Sequence, residues 1–329
     1  MKHKAILVEK NSYEQITVAY KEINQKKFPK NQVMLKVDYS SLNYKDCLAV
    51  TKPASVLKTY PMIPGIYLAG TVIESKSNLY EKGDKVFING WGIGEKFWGG
   101  FSEYASVDPD HLSLIPKHFT TFDVMAIGTA GYTSMLCIMA LKKNGVLPGS
   151  SKILVTGASG GVSSIAILLL NKMGYHVIAS TGQSNIDQTL LNLGAKEIIS
   201  RNELDKKVKP LEKQRWDGVI DVVGGDTLAS SLAFTKYGGV VASTGLAGSI
   251  KLPTTVAPFI FRGVTLAGVD SVYCPQKTRN VAWRELEKYI RNEDLKKITK
   301  TIEIGRVNEI AKDMLEGKVL GRIVIDVNK

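Results

Sequence analysis

Apolar and polar positions alternate in blocks between about residue 151 and residue 271. Short β-branched apolar runs are followed by longer stretches in which apolar residues have helical spacing. Such alternation is typical of a parallel sheet with helices on both faces. We therefore predict a doubly wound α/β domain of the Rossmann type, with strands at residues 152–156, 175–180, 197–200, 218–223, 240–243 and 264–269.

The first 123 residues have a different pattern. Short alternating runs at 4–8, 33–37, 71–74, 85–88 and 103–107 are separated by proline and glycine. This spacing predicts a mainly β region. Beyond residue 272 the pattern predicts helices at 279–292 and 307–316 and a closing strand at 322–327.

Composition narrows the class of protein. The 329-residue chain is 44% apolar and 22% charged, which is typical of a folded protein of about two domains. We predict no secretory signal, because Glu9 interrupts the first apolar run, and no membrane span. The longest membrane-like tract, residues 133–141, is about half the ~20 residues that a helix needs to cross a bilayer.

Three cysteines, Cys47, Cys137 and Cys274, form no C-x-x-C pair. We therefore expect neither a disulfide framework nor a structural zinc site. We also expect a cytoplasmic location. The net charge of +12 favours polyanionic partners. Because the basic residues occur as scattered pairs rather than one stripe, we expect a basic solvated surface and no specific nucleic-acid partner.

The run K-I-L-V-T-G-A-S-G-G-V-S at 152–163 predicts a strand that enters a glycine-rich turn before a helix. Glycines allow phosphate oxygens to approach the backbone, and the helix N-terminus attracts their charge. The spacing departs from G-x-G-x-x-G, so an ordinary strand-to-helix turn is an alternative. A nucleophilic Ser159 in G-x-S-x-G is disfavoured, because the only later histidine, His176, comes too early for a hydrolase triad.

The second strand of this unit ends in Ser180-Thr181-Gly182-Gln183, where NAD-binding proteins usually have an acid. Small polar groups leave room for a 2′-phosphate without repelling it. We therefore predict NADP(H) as the cofactor. Arg201, just after the third strand, is a candidate cation for that phosphate, with a solvent-facing side chain as the alternative.

Further motifs resemble one family. They are S-S-L-N-Y-K-D-C at 40–47, P-G-I-Y-L-A-G at 64–70, G-W-G-I-G-E at 90–95, W-G-G-F-S-E-Y at 98–104, I-G-T-A-G-Y-T at 127–133 and G-V-D-S-V at 268–272. With the nucleotide unit, they are similar to the medium-chain dehydrogenase/reductase superfamily. Within it they resemble the YhdH/YhfP-like quinone oxidoreductases, a group that includes acrylyl-CoA reductases.

This resemblance implies a Rossmann NADP-binding domain at 124–271 and a mainly β GroES-like catalytic domain at 1–123 and 272–329. It also implies a homodimer that pairs through residues 264–272. Zinc-dependent relatives have a cysteine where this chain has Asn43, and a Gly-His-Glu where it has Gly65-Ile66-Tyr67. We therefore expect no metal site.

Without a Lewis acid, reduction of an activated C=C bond is easier than alcohol oxidation, because the substrate carbonyl already delocalises the arriving charge. The expected activity is NADPH-dependent reduction of an enoyl thioester, such as acrylyl-CoA, or of a quinone or enone. In this hypothesis Tyr44 and Asn43 orient or protonate the enolate and Asp46 supports them. Alternatively, Tyr44 only stacks beside the nicotinamide, and water delivers the proton.

Matching family positions imply a larger set of cofactor contacts. They are Tyr44, Ser159, Gly160, Gly161, Val162, Thr181, Gly182, Gln183, Arg201, Leu246, Ile260, Ser271 and Lys318. Two positions depart from the family: Gln183 replaces an arginine and Ser163 replaces a glycine, so we expect weaker selectivity for NADPH. The alternative function is a nucleotide-regulated nucleic-acid-binding protein with residual reductase activity.

Overall fold

The computed structural model describes residues 2–24, 28–29, 32–183 and 185–329. The chain divides into two compact units. The first unit combines Met1–Thr129 with Arg291–Lys329, and the second is Ala130–Ile290. The domain boundaries expected from the sequence, at 123/124 and 271/272, stay a prediction.

Strands are numbered β1 to β15 along the described residues. In order, they are Lys2–Lys10, Ile16–Asn24, Val33–Leu42, Tyr67–Ser75, Lys85–Asn89, Tyr104–Val107, Ser113–Leu114, Lys152–Val155, His176–Thr181, Glu197–Ser200, Trp216–Asp221, Thr235–Ser243, Thr265–Gly268, Thr299–Glu303 and Arg322–Asp326. Helices α1 to α9 are Tyr44–Thr51, Thr121–Lys143, Gly161–Lys172, Asp187–Leu193, Gly225–Phe234, Ala257–Arg262, Gln276–Tyr289, Asn292–Ile298 and Val307–Leu315.

The second unit contains a six-stranded sheet in the order β10-β9-β8-β11-β12-β13. Its neighbouring strands are all parallel. This is the Rossmann strand order, in which the order of the strands reverses between β8 and β11. Apolar side chains from the central strands, including Leu154, Val219 and Val241, form a buried core with Trp216. The predicted α/β fold class is confirmed.

The first unit contains a seven-stranded sheet in the order β14-β15-β3-β4-β5-β7, with β6 paired to β3. The C-terminal strand β15 lies between β14, which is parallel to it, and β3, which is antiparallel. Leu35, Leu68, Ile88 and Ile325 belong to the core beneath this sheet. A separate antiparallel pair, β1 and β2, completes the β-rich part of the unit.

Helix α2 is interrupted at Gly128, whose φ of 54° and ψ of −162° are not helical. By length and composition this helix could cross a membrane, but 83% of its most apolar window is buried inside the protein. Burial of that kind is typical of a core helix, and the kink divides it into two shorter segments.

The structure differs from the sequence prediction at several elements, among them β2, which was not predicted, and α7, which has different bounds. Strand β2 has only one fully buried residue, Ile23, so its apolar alternation is weak. Helix α7 was predicted at 279–292 but spans Gln276–Tyr289. It ends early because Ile290 adopts an extended conformation and is buried, and α8 then begins at Asn292.

Candidate functional site

The glycine-rich turn joins β8 to α3 at the carboxyl end of the six-stranded sheet. Gly157 has a φ of 57°, and a Cβ there would lie 2.9 Å from Val222 Cγ2. Gly160 is the N-cap of α3, which begins at Gly161. The first N–H groups of a helix have no acceptor within the helix and, with the helix dipole, attract anions. The geometry of the turn is therefore suitable for a pyrophosphate, as the sequence predicts.

Ser163, the departure from the family glycine, is accommodated by a hydrogen bond. Its buried hydroxyl donates to the carbonyl oxygen of Thr156 at 2.7 Å. The extra hydroxymethyl group thus joins the first turn of α3 to the end of β8. Ser159 and Val162 in the same turn are partly exposed, and Gly160 is exposed.

A cavity of about 400 Å³ lies beside the end of β9 and is lined by residues 181–183 and 198–202 together with Asp187. The hydroxyl of Thr181 accepts a hydrogen bond from the backbone N–H of Gln183 at 3.1 Å. Arg201 lies against Gly182, because a Cβ at Gly182 would be 2.5 Å from Arg201 Nε. The structure thus brings together all four predicted contacts for the adenosine end of the cofactor.

Three other predicted cofactor contacts lie in the second unit: Leu246 and Ser271 are in loops, and Ile260 is in α6. Leu246 and Ile260 are exposed, and Ser271 is half-buried. Leu246 follows Gly245, which packs closely against the backbone of Val222 after β11. Leu246 therefore lies near the carboxyl end of the sheet.

The predicted catalytic residues lie at the start of α1 in the first unit. Asn43 is the N-cap of this helix, and Asp46 is in its first turn. Asp46 accepts hydrogen bonds from the backbone N–H groups of Asn43, at 3.0 Å, and Ile66, at 2.9 Å. It therefore fastens the start of α1 to the segment that leads into β4.

Asp46 is completely buried. Burial raises the pKa of its carboxyl group to about 7, although the two backbone N–H donors oppose the shift. The group consequently changes charge near neutral pH. Its position supports the predicted role as a residue that holds Asn43 in place.

Arg322, the first residue of β15, is buried beside Asn43. Its Nη1 donates to Asn43 Oδ1 at 2.6 Å, its Nε to the carbonyl oxygen of Ala126 at 2.9 Å, and its Nη2 to Ser41 Oγ at 2.8 Å. Gly128 leaves room for this guanidinium, since a Cβ at Gly128 would overlap Nη2.

The contact with Arg322 determines which way the Asn43 amide faces. An arginine can only donate hydrogen bonds, so it must meet the amide oxygen. The amide nitrogen Nδ2 is then left buried without a hydrogen-bond partner among the described residues. An unsatisfied buried donor is costly, and a substrate oxygen could satisfy it.

The other predicted residues of the first unit are more exposed. Tyr44, the first residue of α1, is 56% exposed. Lys318 forms an ion pair with Glu316 at 2.5 Å. The two units carry different parts of the predicted residue set: Asn43, Tyr44, Asp46 and Lys318 lie in the first, and the other cofactor contacts lie in the second.

The positions that bind zinc in the alcohol dehydrogenases hold other groups here. Tyr67 is buried, and burial raises the pKa of its hydroxyl. Cys47, which is close in sequence to Asn43 but not at one of these positions, is also buried, with its Sγ 3.3 Å from Met314 Sδ. Among the described residues, no group of three or more His, Cys, Asp or Glu side chains is placed to hold a metal ion.

Sequence reasoning missed Arg322 and Asp187. An arginine at the start of an apolar strand, as in G-R-I-V-I, is ordinarily a surface residue, so the sequence contains no signal for the burial of Arg322. Asp187 was missed because the expected acid was sought at the end of β9, whereas α4 presents it to the same cavity.

Comparison with known families agrees with the fold. Residues 29–117 match the alcohol dehydrogenase GroES-like domain. Residues 161–288 match the zinc-binding dehydrogenase family. The two matches cover strands β3 to β7 of the first unit and most of the Rossmann sheet.

Individual relatives cover nearly the whole chain. The acrylyl-CoA reductase AcuI of Ruegeria pomeroyi is 42% identical over 98% of this chain and 99% of its own length. The putative quinone oxidoreductase YhfP of Bacillus subtilis is 41% identical over 98% of each chain.

Solved structures agree with these relatives. The yhdH oxidoreductase from Salmonella enterica, in complex with NADP, superposes with a TM-score of 0.95 at 41% identity over 99% of both chains. Bacillus subtilis yhfP with NAD bound has the same TM-score at 40% identity, again over 99% of both chains. The chain therefore belongs to the medium-chain dehydrogenase/reductase superfamily, in the group of the YhdH/YhfP-like quinone oxidoreductases and acrylyl-CoA reductases.

Proposed function

We propose that this protein is an NADPH-dependent oxidoreductase that reduces the activated C=C bond of an enoyl thioester, such as acrylyl-CoA, or of a quinone or enone. Its relatives include an acrylyl-CoA reductase and a putative quinone oxidoreductase at 41–42% identity over nearly the full chain. The unsatisfied amide donor of Asn43 is the structural observation that carries the proposal.

The described residues fit a bound NADP(H). The glycine-rich turn leaves room for phosphate oxygens. Arg201 supplies a positive charge to the cavity beside β9, and the end of β9 itself carries no acidic residue. When bound, this cofactor supplies the hydride. In the proposal, the turn at 159–162 holds the pyrophosphate, and residues 181–183 and Arg201 hold the adenosine end. The other proposed cofactor contacts are Leu246, Ile260 and Ser271 of the second unit and Tyr44 and Lys318 of the first.

Asn43 would polarise the substrate. Its Nδ2 donates to the carbonyl oxygen of the thioester, enone or quinone, where negative charge develops during reduction. Arg322 holds the amide oxygen, and Asp46 holds the backbone of Asn43, so that the donor is oriented before the substrate arrives. Arg322 and Asp46 act in this scheme as positioning residues.

The activity assay follows NADPH oxidation with acrylyl-CoA and simple quinones. Asn43→Ala should lower kcat by about 10²–10³, the usual cost of losing one such donor. Ser41→Ala removes a different partner of Arg322 and keeps Asn43, so it should retain most of the activity. Failure of the wild type to oxidise NADPH with any of these substrates would reject the proposed function.

Tyr44 has two possible roles, proton donor to the enolate or stacking partner of the nicotinamide. If its hydroxyl delivers the proton, Tyr44→Phe should lower kcat, whereas a stacking role leaves kcat unchanged and water supplies the proton. Tyr13→Phe is the matched control, because Tyr13 is 82% exposed in the same unit. Normal kcat and normal cofactor affinity in Tyr44→Phe would exclude the hydroxyl from the reaction.

The net charge of +12 suits polyanionic ligands such as NADPH and a CoA thioester. The alternative function, nucleic-acid binding with residual reductase activity, gains no support from the names of these relatives. Any RNA binding should fall steeply with salt and show no sequence preference, as expected of a basic surface.

We also propose that the protein is a cytoplasmic homodimer that pairs along β13. This strand is at the edge of the six-stranded sheet, so its outer backbone groups are available for pairing with a second copy. Val256 and Phe261, just before β13, are apolar and 65% and 69% exposed. Light scattering of the eluted protein should give twice the chain mass, and Phe261→Glu should shift it towards the monomer.

A further inference from the structure

The cavity beside the end of β9 carries side chains of both charges. Of the described residues that line it, Arg201 is the basic one and Asp187 is the acidic one. Arg201 comes from the segment after β10, and Asp187 is the first residue of α4. Arg201 and Asp187 are both exposed, so each side chain is available to a ligand in the cavity.

The two charges favour different adenosine groups. A guanidinium attracts a 2′-phosphate and can bind it through two parallel hydrogen bonds. A carboxylate repels that phosphate but accepts a hydrogen bond from a ribose hydroxyl, the role played by the acid of NAD-binding proteins. Arg201 therefore favours the phosphorylated ribose, and Asp187 favours the ribose with a free hydroxyl.

Two neighbouring groups do not change this balance. Gln183 is neutral, so it adds no second positive charge to the lining of the cavity. Gly182 has no side chain, and its place is covered by Arg201. The phosphate would thus meet one positive and one negative side chain.

We propose that Asp187 is a specificity-determining residue, which lowers the preference of this site for NADPH and allows NADH to bind in the same cavity. The inference rests on the proposed function, since it concerns the cofactor of that reaction. Because Arg201 and Asp187 have opposite charges, the chain would use both NADPH and NADH.

Binding of two cofactor fragments tests the inference without any turnover. Calorimetry of the full chain with adenosine 2′,5′-bisphosphate and with adenosine 5′-monophosphate measures the contribution of the 2′-phosphate. Asp187→Asn should tighten binding of the bisphosphate by about three- to tenfold, because one repulsive charge is removed. Binding of the monophosphate should be unchanged or weaker.

Two further variants make the result specific. Asp205→Asn is the matched control, because Asp205 is also exposed and follows Arg201 closely but does not line the cavity. It should leave both affinities unchanged. Gly182→Ala places a methyl group against Arg201, and displacement of that side chain should weaken the bisphosphate more than the monophosphate.

The same variants are then assayed by kcat/KM with NADPH and NADH. Asp187→Asn should raise the NADPH/NADH ratio by about three- to tenfold. Equal changes for both nucleotides, no change, or the same change in Asp205→Asn would overturn the inference, even if the reductase activity is intact. If neither fragment binds the wild-type protein, the proposed cofactor site itself is rejected, and the inference with it.

Discussion

Replacing Gly128 by alanine directly tests how the first unit accommodates its buried arginine. At this position the backbone has a φ of 54° and a ψ of −162°, a region that is almost exclusive to glycine. The added Cβ would also overlap Arg322 Nη2, which donates to Ser41 Oγ at 2.8 Å. The substitution therefore has two independent costs, which act in the same direction.

The expected loss in the free energy of unfolding is the sum of these costs. The backbone conformation costs a residue other than glycine about 1–3 kcal/mol. Loss of one buried hydrogen bond from a charged donor costs about 1.5–3 kcal/mol more. Gly128→Ala should therefore destabilise the protein by about 2.5–6 kcal/mol, a large part of the ~5–15 kcal/mol that is typical of a folded domain.

Urea unfolding, followed by circular dichroism, measures this loss. Gly83→Ala is the control, because Gly83 has a φ of 102° in the same unit and no atom within 4 Å of its Cβ position. It should lose only the backbone cost, about 1–3 kcal/mol. A Gly128→Ala protein as stable as Gly83→Ala would refute the reasoning about Arg322. A variant that stays folded should also have a lower kcat, because displacement of Arg322 removes the hydrogen bond that orients the Asn43 amide.

Two further predictions concern ionisation. Burial raises the pKa of Asp46 to about 7 from an unfolded value of 3.8, so its contribution to stability is greatest at low pH and falls as pH rises from about 4 to 7. The stability of wild type relative to Asp46→Asn should thus fall by about 3 kcal/mol between pH 5 and 8 in urea titrations, and parallel pH profiles would contradict this. Side-chain hydrogen bonds with Lys152, and to a smaller extent with His176, lower the pKa of Glu197 in the folded protein. The stability that these bonds contribute is therefore present above the pKa of Glu197 in the unfolded chain, and it is lost as the pH falls through its pKa in the folded protein. Because these groups are well exposed, Glu197→Gln should cost less than about 1 kcal/mol at pH 7 by thermal unfolding, and a larger loss would show that the cluster is not screened by solvent.

The Rossmann part of the fold could be predicted from the sequence because its information is local. Each of its strands is a short apolar run next to a helical pattern, and the turn at 157–163 joins the first such pair. Parallel, fully buried strands leave little freedom in how these blocks are assembled.

The surroundings of Asn43 were only partly predictable, because their contacts join distant parts of the chain. Asn43 and Arg322 meet across 279 residues, and no periodic pattern links them. Helix α1 is only eight residues long, and it is fixed by the bond between Asp46 and the backbone of Ile66. The family motif identified Asn43, Tyr44 and Asp46 as candidates, but only the three-dimensional arrangement explains what orients the Asn43 amide.

The position of β15 has a consequence for how the protein is made. This strand is formed by residues 322–326, yet it lies within the seven-stranded sheet and pairs with β3, which is formed by residues 33–42. During synthesis the residues of the second unit, 130–290, emerge before β15 is available. Domains generally fold as units while the chain is translated. The second unit can therefore form first, whereas the β3 edge and the pocket for Arg322 must wait until residues 322–326 have been translated.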